Sequence, residues 1–98
     1  MIHHISIYQI KNVEDVEYSF RNFDKTKFNI KDYQKVYELD IDDTPMLLYT
    51  DILEEVFCIF NMNSPKDFTG HSLSVSDVVF IDDKGYYCDS FGWSTIVL

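Results

Sequence analysis

The chain has 98 residues, of which 46% are hydrophobic and 16% aromatic, and its formal net charge is −9. This size predicts a single domain spanning residues 1–98, with enough apolar material to fill a core. The negative charge disfavours direct binding to nucleic-acid phosphates and to anionic membrane surfaces. No apolar run approaches the roughly 20 residues that span a bilayer, and the first ten residues lack the basic and long apolar regions of a signal peptide. We therefore expect a cytoplasmic protein.

The cysteine pattern agrees with a reducing compartment. Cys58 and Cys88 lie thirty positions apart in the sequence, one in a predicted helix and one in a predicted strand. Their spacing matches no CxxC or zinc-binding motif. A free cysteine most often behaves as a small buried hydrophobe. We expect two buried thiols and no metal site.

The first half of the chain predicts three strands. His4–Ile10 is rich in Ile and Tyr and forms the first. Val16–Arg21 alternates apolar and polar residues with a period of two, which is typical of a half-buried second strand. Asp24–Asn29 is either a loop or one helical turn capped by Asp24. Lys35–Ile41 alternates again and forms the third strand.

A helix is expected after Asp42. Thr44 and Pro45 are suited to the cap and the first position of a helix. The stronger signal comes later, where four apolar residues follow the i, i+3, i+4, i+7 spacing of one helix face. These residues are Leu53, Val56, Phe57 and Phe60. The sequence from Asn61 to Lys66, with Pro65, ends the helix.

The C-terminal third predicts a β-hairpin. Val78–Ile81 is a short apolar run, Asp82–Gly85 has turn residues, and Tyr86–Phe91 is an aromatic strand. We expect Gly85 to take a positive φ in the turn, and Val79 and Phe91 to lie in the core. Gly92 and Trp93 turn the chain into an apolar tail, 96–98, which suits a last edge strand.

Together these elements predict an α+β fold with the order β-β-β-α-β-β. Half-polar strands and one amphipathic helix fit a two-layer architecture, in which a mostly antiparallel sheet of about five strands carries one main helix.

Two motifs near the C-terminus carry a family resemblance. GHSLSVSDVV, at 70–79, is followed by YYCDSFGW at 86–93, and together they resemble the YodL-like family. Weaker matching blocks lie upstream at 7–10, 33–37 and 53–61, so the resemblance covers nearly the whole chain. The segment 42–49 departs from the family pattern and is interpreted as an insertion.

The resemblance implies a genomic context for the protein but no catalytic chemistry. YodL-like proteins are small proteins, and modules of larger ones, that are common on conjugative transposons and other mobile elements of Firmicutes. The family supplies no catalytic residue, cofactor or metal ligand that transfers to this chain. With no catalytic signature in the sequence, we expect a non-enzymatic accessory protein of a mobile element that binds an unidentified protein partner.

Eight residues of the C-terminal motifs are candidates for the interaction surface. They carry exposed chemistry or large aromatic area, and they are His71, Ser72, Ser74, Ser76, Asp77, Tyr86, Asp89 and Trp93. In an extended segment, the three serines would place their hydroxyls on one side; the alternative is that they bond to nearby backbone. The pair Ser76–Asp77 is interpreted as a bulge or as the start of the strand.

Three other hypotheses concern chemistry at these positions. His71 could act as a general base on a serine, oriented by Asp77 or Asp89; the simpler alternative is a loop histidine bonded to backbone. Asp82, Asp83 and Asp89 lack the spacing of a calcium-binding loop. Because paired carboxylates on adjacent strands repel, we expect Asp77 or Asp89 to accept bonds from turn amides instead.

An acidic stretch suggests a second function. Positions 36–65 contain no Lys or Arg but seven acidic residues, which are Glu38, Asp40, Asp42, Asp43, Asp51, Glu54 and Glu55. Carboxylates in rows on one face would mimic nucleic-acid phosphates and inhibit a host restriction or defence protein. The alternative is an ordinary solubilising surface. The decoy hypothesis requires that the acids share one face.

Overall fold

A computed structural model describes residues 2–42, 49–62 and 64–96. Five strands form one antiparallel sheet in the spatial order β2-β1-β3-β4-β5. The elements are β1 (Ile2–Ile10), a short 3-10 turn (Ile30–Asp32), β2 (Tyr33–Asp42), α1 (Tyr49–Met62), β3 (Val78–Ile81), β4 (Lys84–Asp89) and β5 (Gly92–Ile96). The predicted α+β fold with a five-stranded antiparallel sheet and one helix is confirmed.

The order of the elements differs from the prediction. It is β-β-α-β-β-β, because the strand predicted at Val16–Arg21 is absent. The backbone there folds into consecutive turns, in which Ser19 N–H donates to the carbonyl of Val16 and Arg21 N–H to that of Tyr18. The alternation still has a physical meaning, since Tyr18 is buried and Val16 half-buried. The fifth strand is instead β5, at the C-terminal edge of the sheet.

One face of the sheet packs against α1. The helix buries Leu53, Val56 and Phe60, as predicted, together with Ile52, while Phe57 is half-buried. Asp51, in the first turn, complements the positive end of the helix dipole. We call the apolar cluster on this face the helix-side core: Ile5, Ile7, Ile41, Ile52, Leu53, Val56, Phe60, Leu73, Val79 and Ile81. The predicted burial of Val79 is confirmed.

The opposite face of the sheet is partly covered by the irregular segment 11–32, which we call the cover segment. Its aromatic residues pack onto side chains that the strands project away from the helix. The buried cluster there is the loop-side core: Ile10, Tyr18, Tyr33, Val78, Tyr87 and Ile96. Because both faces are packed in this region, β3 can be apolar throughout its length.

Hydrogen bonds fix the cover segment to β4. The Tyr87 hydroxyl donates to the carbonyl of Arg21 at 2.6 Å, and Phe23 N–H donates to the carboxylate of Asp89 at 2.6 Å. Within the segment, Asp24 caps a single turn by accepting bonds from Thr26. A turn capped by Asp24 was one of the two alternatives predicted for Asp24–Asn29. A segment without strand or α-helix therefore still has its backbone groups partnered at these points.

The β3–β4 hairpin has a different turn from the one predicted. Ile81 pairs with Lys84, so the loop contains only Asp82 and Asp83, and Asp82 takes the positive φ of 57°. Gly85 lies inside β4 opposite Phe80, and a Cβ there would sit 2.9 Å from the Phe80 ring. Gly85 is therefore required for cross-strand packing and not for a left-handed conformation.

The position of Phe91 corrects another prediction. β4 ends at Asp89, and Ser90 and Phe91 form the loop of the β4–β5 hairpin. Asp at the first position and Gly92 at the fourth are typical of a type I turn, and Gly92 takes a φ of 100°. Phe91 is 99% exposed, so its predicted place in the core is wrong.

Two further predictions are settled in part. Cys88 is buried, as expected, but Cys58 is exposed on α1. Ile96 belongs to the edge strand β5, as the tail prediction required, whereas Val97 and Leu98 lie outside the described residues. The helix start predicted at Thr44 and Pro45 also lies outside them.

No helix in the described part of the chain is long and apolar enough to cross a membrane.

Candidate functional site

The residues just before β3 form a β-bulge. Ser76 N–H donates to the carbonyl of Cys88, and Cys88 N–H donates to the carbonyl of Asp77. Two residues therefore face one on β4, which is the pattern of a bulge whose first residue takes a positive φ; Ser76 has a φ of 81°. The interpretation of Ser76–Asp77 as a bulge is confirmed, and regular pairing begins at Val78. The bulge turns the Asp77 side chain into the protein.

Asp77 is a buried carboxylate, only 1% exposed. Its Oδ2 atom accepts a bond from Ser74 N–H at 2.9 Å and one from Gln9 Nε2 at 3.2 Å. Burial raises its pKa to about 6, although these two bonds and the nearby His71 act in the opposite direction. The bond from the Ser74 amide confirms that a turn amide partners this carboxylate.

His71 is exposed and lies next to Asp77, but it does not form a catalytic triad. Its Nδ1 atom is 2.7 Å from the carbonyl oxygen of Ser72 and 3.3 Å from Gln9 Nε2. Its Nε2 atom lies 3.9 Å from Asp77 Oδ1. None of the hydrogen bonds in the described residues joins a serine hydroxyl to this ring. The contact with the Ser72 carbonyl fits the loop-histidine alternative.

The three serines do not form a row of hydroxyls. The residues from 71 to 77 are not a strand, so the alternation has no common face. Ser76 is buried, and its Oγ atom accepts a bond from Phe20 N–H at 3.0 Å. Ser72 is exposed, whereas the Ser74 Oγ atom is buried with no hydrogen-bond partner among the described residues. The hydroxyl-row interpretation is wrong. The Ser76 hydroxyl does bond to backbone, but to the distant cover segment and not, as the alternative predicted, to a local turn.

Asp89, Tyr86 and Trp93 occupy the other end of the C-terminal motif. Asp89 accepts bonds from Phe23 N–H and from the Ser94 hydroxyl. Tyr86 and Trp93 are both half-buried and pack against the helix-side core. The Trp93 ring lies 6.5 Å from the Phe57 ring, at 87° to it. Asp89 therefore holds the cover segment in place, while Trp93 presents part of its ring beside α1.

A cavity of about 180 Å³ lies between α1 and the β4–β5 hairpin. Two aromatic residues, two acidic residues and a cysteine are among its lining residues, which are Glu54, Phe57, Cys88, Asp89, Ser90, Gly92 and Trp93. Burial raises the pKa of the Cys88 thiol to about 12, which favours the protonated thiol over the thiolate. The two neighbours of Phe91 in the chain line the cavity. We call Phe91 and this cavity together the tip surface.

The acidic residues are divided between two parts of the molecule. Glu38, Asp40 and Asp42 lie on β2, where they alternate with Tyr37, Leu39 and Ile41, which face the helix. They therefore face away from α1. Three other acids of this stretch, Asp51, Glu54 and Glu55, are exposed on α1. The seventh, Asp43, lies outside the described residues.

The β2 carboxylates are also partly neutralised. His4 lies between them, with Nδ1 2.9 Å from Asp40 and Nε2 3.1 Å from Glu38. Because both ring nitrogens face carboxylate oxygens, this geometry fits the imidazolium, and the bonds raise the pKa of His4. Lys35 forms an ion pair with Glu38 at 3.1 Å. This distribution does not favour a continuous phosphate-like row.

The three aspartates weighed as metal ligands lie apart. Asp82 and Asp83 form the turn before β4, and Asp89 is at the far end of that six-residue strand, which rises by roughly 3.3 Å per residue. Asp82 accepts bonds from His3 Nδ1 and from His4 N–H. Within residues 2–42, 49–62 and 64–96, no group of three or more His, Cys, Asp or Glu side chains is placed to hold a metal ion.

Of the residues that form the tip surface, only Asp89 and Trp93 were predicted as site residues. Sequence reasoning treated Glu54 only as part of an acidic stretch, Phe57 only as core, and Phe91 as buried. The Asp-Ser-Phe-Gly turn signature at 89–92 would have placed Phe91 on the surface. No sequence signal indicated that Glu54 and Phe57 would line the same cavity as Trp93, because this arrangement depends on how α1 packs on the sheet.

The architecture defines a small α+β domain, in which a five-stranded antiparallel sheet has α1 on one face and an irregular cover on the other. The family model described as the YodL-like domain matches residues 4–98. The chain therefore belongs to the YodL-like domain family. Comparisons with curated proteins and with solved structures gave no match.

Replacing Asp77 by Asn tests the energetic role of the buried carboxylate. The raised pKa means that folding favours protonated Asp77, so its contribution to stability is present below about pH 4 and is lost as pH rises through about 6. An asparagine side chain there can keep both bonds on one oxygen without a charge. We expect the variant to gain stability over the parent as pH rises from about 4 to 7, by on the order of 3 kcal/mol.

Urea denaturation of parent and variant at several pH values measures this difference. Comparing the two proteins cancels the pH dependence that groups remote from Asp77, such as His4, contribute to both. A difference in unfolding free energy that stays constant across this pH range would contradict the role given to Asp77.

Proposed function

We propose that this chain is a non-enzymatic accessory protein of a mobile genetic element, and that it works as a protein–protein interaction module. Its docking surface is the tip surface. The observation that carries the proposal is the complete exposure of Phe91, beside a cavity walled by Phe57 and Trp93. Exposed aromatic area next to a concave, partly aromatic wall is typical of protein interfaces.

The local structure supports a rigid presentation of this surface. Ser90 N–H donates to the side chain of Asn22 at 2.7 Å, and Asp89 is bonded on both carboxylate oxygens. The turn that carries Phe91 is therefore held by hydrogen bonds to the cover segment and to Ser94 of β5. A preorganised anchor loses little conformational entropy on binding.

The mobile-element context and the cytoplasmic location rest on other grounds. The context comes from the resemblance to YodL-like proteins of conjugative transposons. Two free cysteines, one of them exposed, fit a reducing compartment. The family and the fold do not by themselves define a partner, so the surface is the part to test.

Photo-crosslinking from the tip tests the proposal directly. A benzophenone amino acid at position 91 should crosslink to one specific protein in cells of the source organism, because that side chain would lie in the interface. Position 62 provides the matched control, since Met62 is also an exposed apolar residue, 84% accessible, and does not line the cavity. Equal labelling from both positions, or none from position 91, would count against the tip surface.

A further inference from the structure

The cavity of the tip surface has the lining of a cation-binding site. Trp93 and Phe57 stand nearly perpendicular, at 87°, with ring centroids 6.5 Å apart, and form two walls of a corner. Glu54, exposed on α1, also lines this cavity. Aromatic rings and carboxylates together attract an organic cation, through the ring quadrupole and through charge. Among the described residues, none that lines the cavity is basic.

Two acidic residues line the cavity, but the Asp89 carboxylate is bonded on the face of the sheet that the cover segment packs against. Asp89 already accepts bonds from Phe23 N–H and from the Ser94 hydroxyl. Glu54 is exposed and has no hydrogen bond or ion pair with another of the described residues. The Glu54 carboxylate is therefore the one available to pair with a ligand.

The size and the charge of the protein agree with this ligand. A cavity of about 180 Å³ has room for the end of one side chain rather than for a cofactor, since ligand pockets usually measure about 300–1,000 Å³. The net charge of −9 attracts basic partners over a longer range. Phe91, at the rim, is placed to contact apolar surface next to the bound cation.

We propose that this cavity binds the alkylammonium or guanidinium group of a lysine or arginine side chain from the protein partner. The inference rests on the proposed function, because it names the group by which the partner is recognised. The Trp93 and Phe57 rings contact the cation, and the Glu54 carboxylate pairs with its charge.

Small cationic probes test the cavity without knowledge of the partner. The probes are n-butylammonium and n-butylguanidinium, and the neutral comparison is 1-pentanol. Trp93 is the only tryptophan in the chain, so its fluorescence and its indole N–H resonance report on the cavity itself. We expect saturable changes with both cations, at dissociation constants on the order of millimolar, and no saturation with the alcohol.

Glu54→Gln and Glu55→Gln form the matched pair of variants. Both residues are exposed on α1, but only Glu54 lines the cavity. Glu54→Gln should weaken binding of the cations by roughly three- to fivefold, the size of an exposed ion pair, whereas Glu55→Gln should leave it unchanged. Circular dichroism checks that both variants are folded.

The outcomes separate this inference from the proposed function. Equal binding of 1-pentanol, no binding of either cation, or equal weakening by the two glutamate variants would overturn the cation site. If position 91 still crosslinks to a partner in that case, the interaction module stands and the partner is held by other contacts. Cation binding without any crosslink from position 91 would instead overturn the proposed docking role.

Discussion

Replacing Phe60 by Ala is expected to lower the free energy of unfolding by about 3–5 kcal/mol, the usual cost of removing a buried aromatic ring. Phe60 is completely buried in the helix-side core. Its ring packs edge-on against Phe68, with centroids 4.8 Å apart, and against Tyr37 at 5.6 Å. Since small domains have total stabilities of about 5–15 kcal/mol, this variant should be close to unfolding. Urea denaturation followed by circular dichroism measures the change.

Phe91→Ala is the matched control, because it removes the same ring from an exposed position. It should change the unfolding free energy by no more than about 0.5 kcal/mol. A loss as large as that of Phe60→Ala would show that Phe91 packs against the protein. It would then contradict both the exposure of the hairpin tip and the docking surface built on it.

Tyr87→Ala should have an effect of similar size, through the other face of the sheet. Tyr87 is fully buried in the loop-side core and contacts Phe23 and Phe28 of the cover segment, with centroids 5.1 and 5.9 Å away. We expect a loss of about 3–5 kcal/mol. Tyr87→Phe removes only the hydroxyl that donates to Arg21 and should cost about 1 kcal/mol.

Amide hydrogen exchange distinguishes a local effect from a global one. In Tyr87→Ala, amides of the cover segment should lose more protection than those of α1, because the cover segment depends on this ring and α1 packs on the opposite face. In Phe60→Ala the order should be reversed. Equal loss of protection throughout both variants would contradict the division into two cores.

The fold was predictable where the local pattern and the tertiary environment agree. The strand at Lys35–Ile41 lies within β2, because its alternation matches a sheet edge with one face on the helix. The stripe of Leu53, Val56 and Phe60 defines the inner face of α1. The apolar run Val78–Ile81 is β3. The three helix residues are buried, and so is most of β3.

The errors have a common physical cause. Period-two alternation identifies side chains that point inward every second residue, but it does not require a partner strand. At Val16 and Tyr18 the inward side chains pack toward the sheet while their backbone forms turns. At Phe91 the strand pattern was extended past Asp89, although the Asp-Ser-Phe-Gly sequence ends the strand there.

The candidate site was predictable only in its parts. Trp93 and Asp89 do line the cavity, and Asp77 does accept a bond from a turn amide. His71 lies next to Asp77, but among the described residues no serine hydroxyl bonds to its ring. Which side chains meet depends on the crossing of α1 over β4 and β5 and on the bulge at Ser76, and neither is encoded in local periodicity.

The central position of β1 affects how this domain is made. β1 comes first in the chain but lies between β2 and β3, so it joins the N-terminal pair to the C-terminal meander of β3, β4 and β5. Its pairing with β3 connects residues far apart in the sequence, such as Ile5 and Ile81, and such long-range contacts close slowly. During synthesis, β1 and β2 can pair early, but the inner edge of β1 has no partner until β3 has been translated. Until then that edge is open to other strands, and a ribosome that stalls before β3 would release a fragment prone to aggregation.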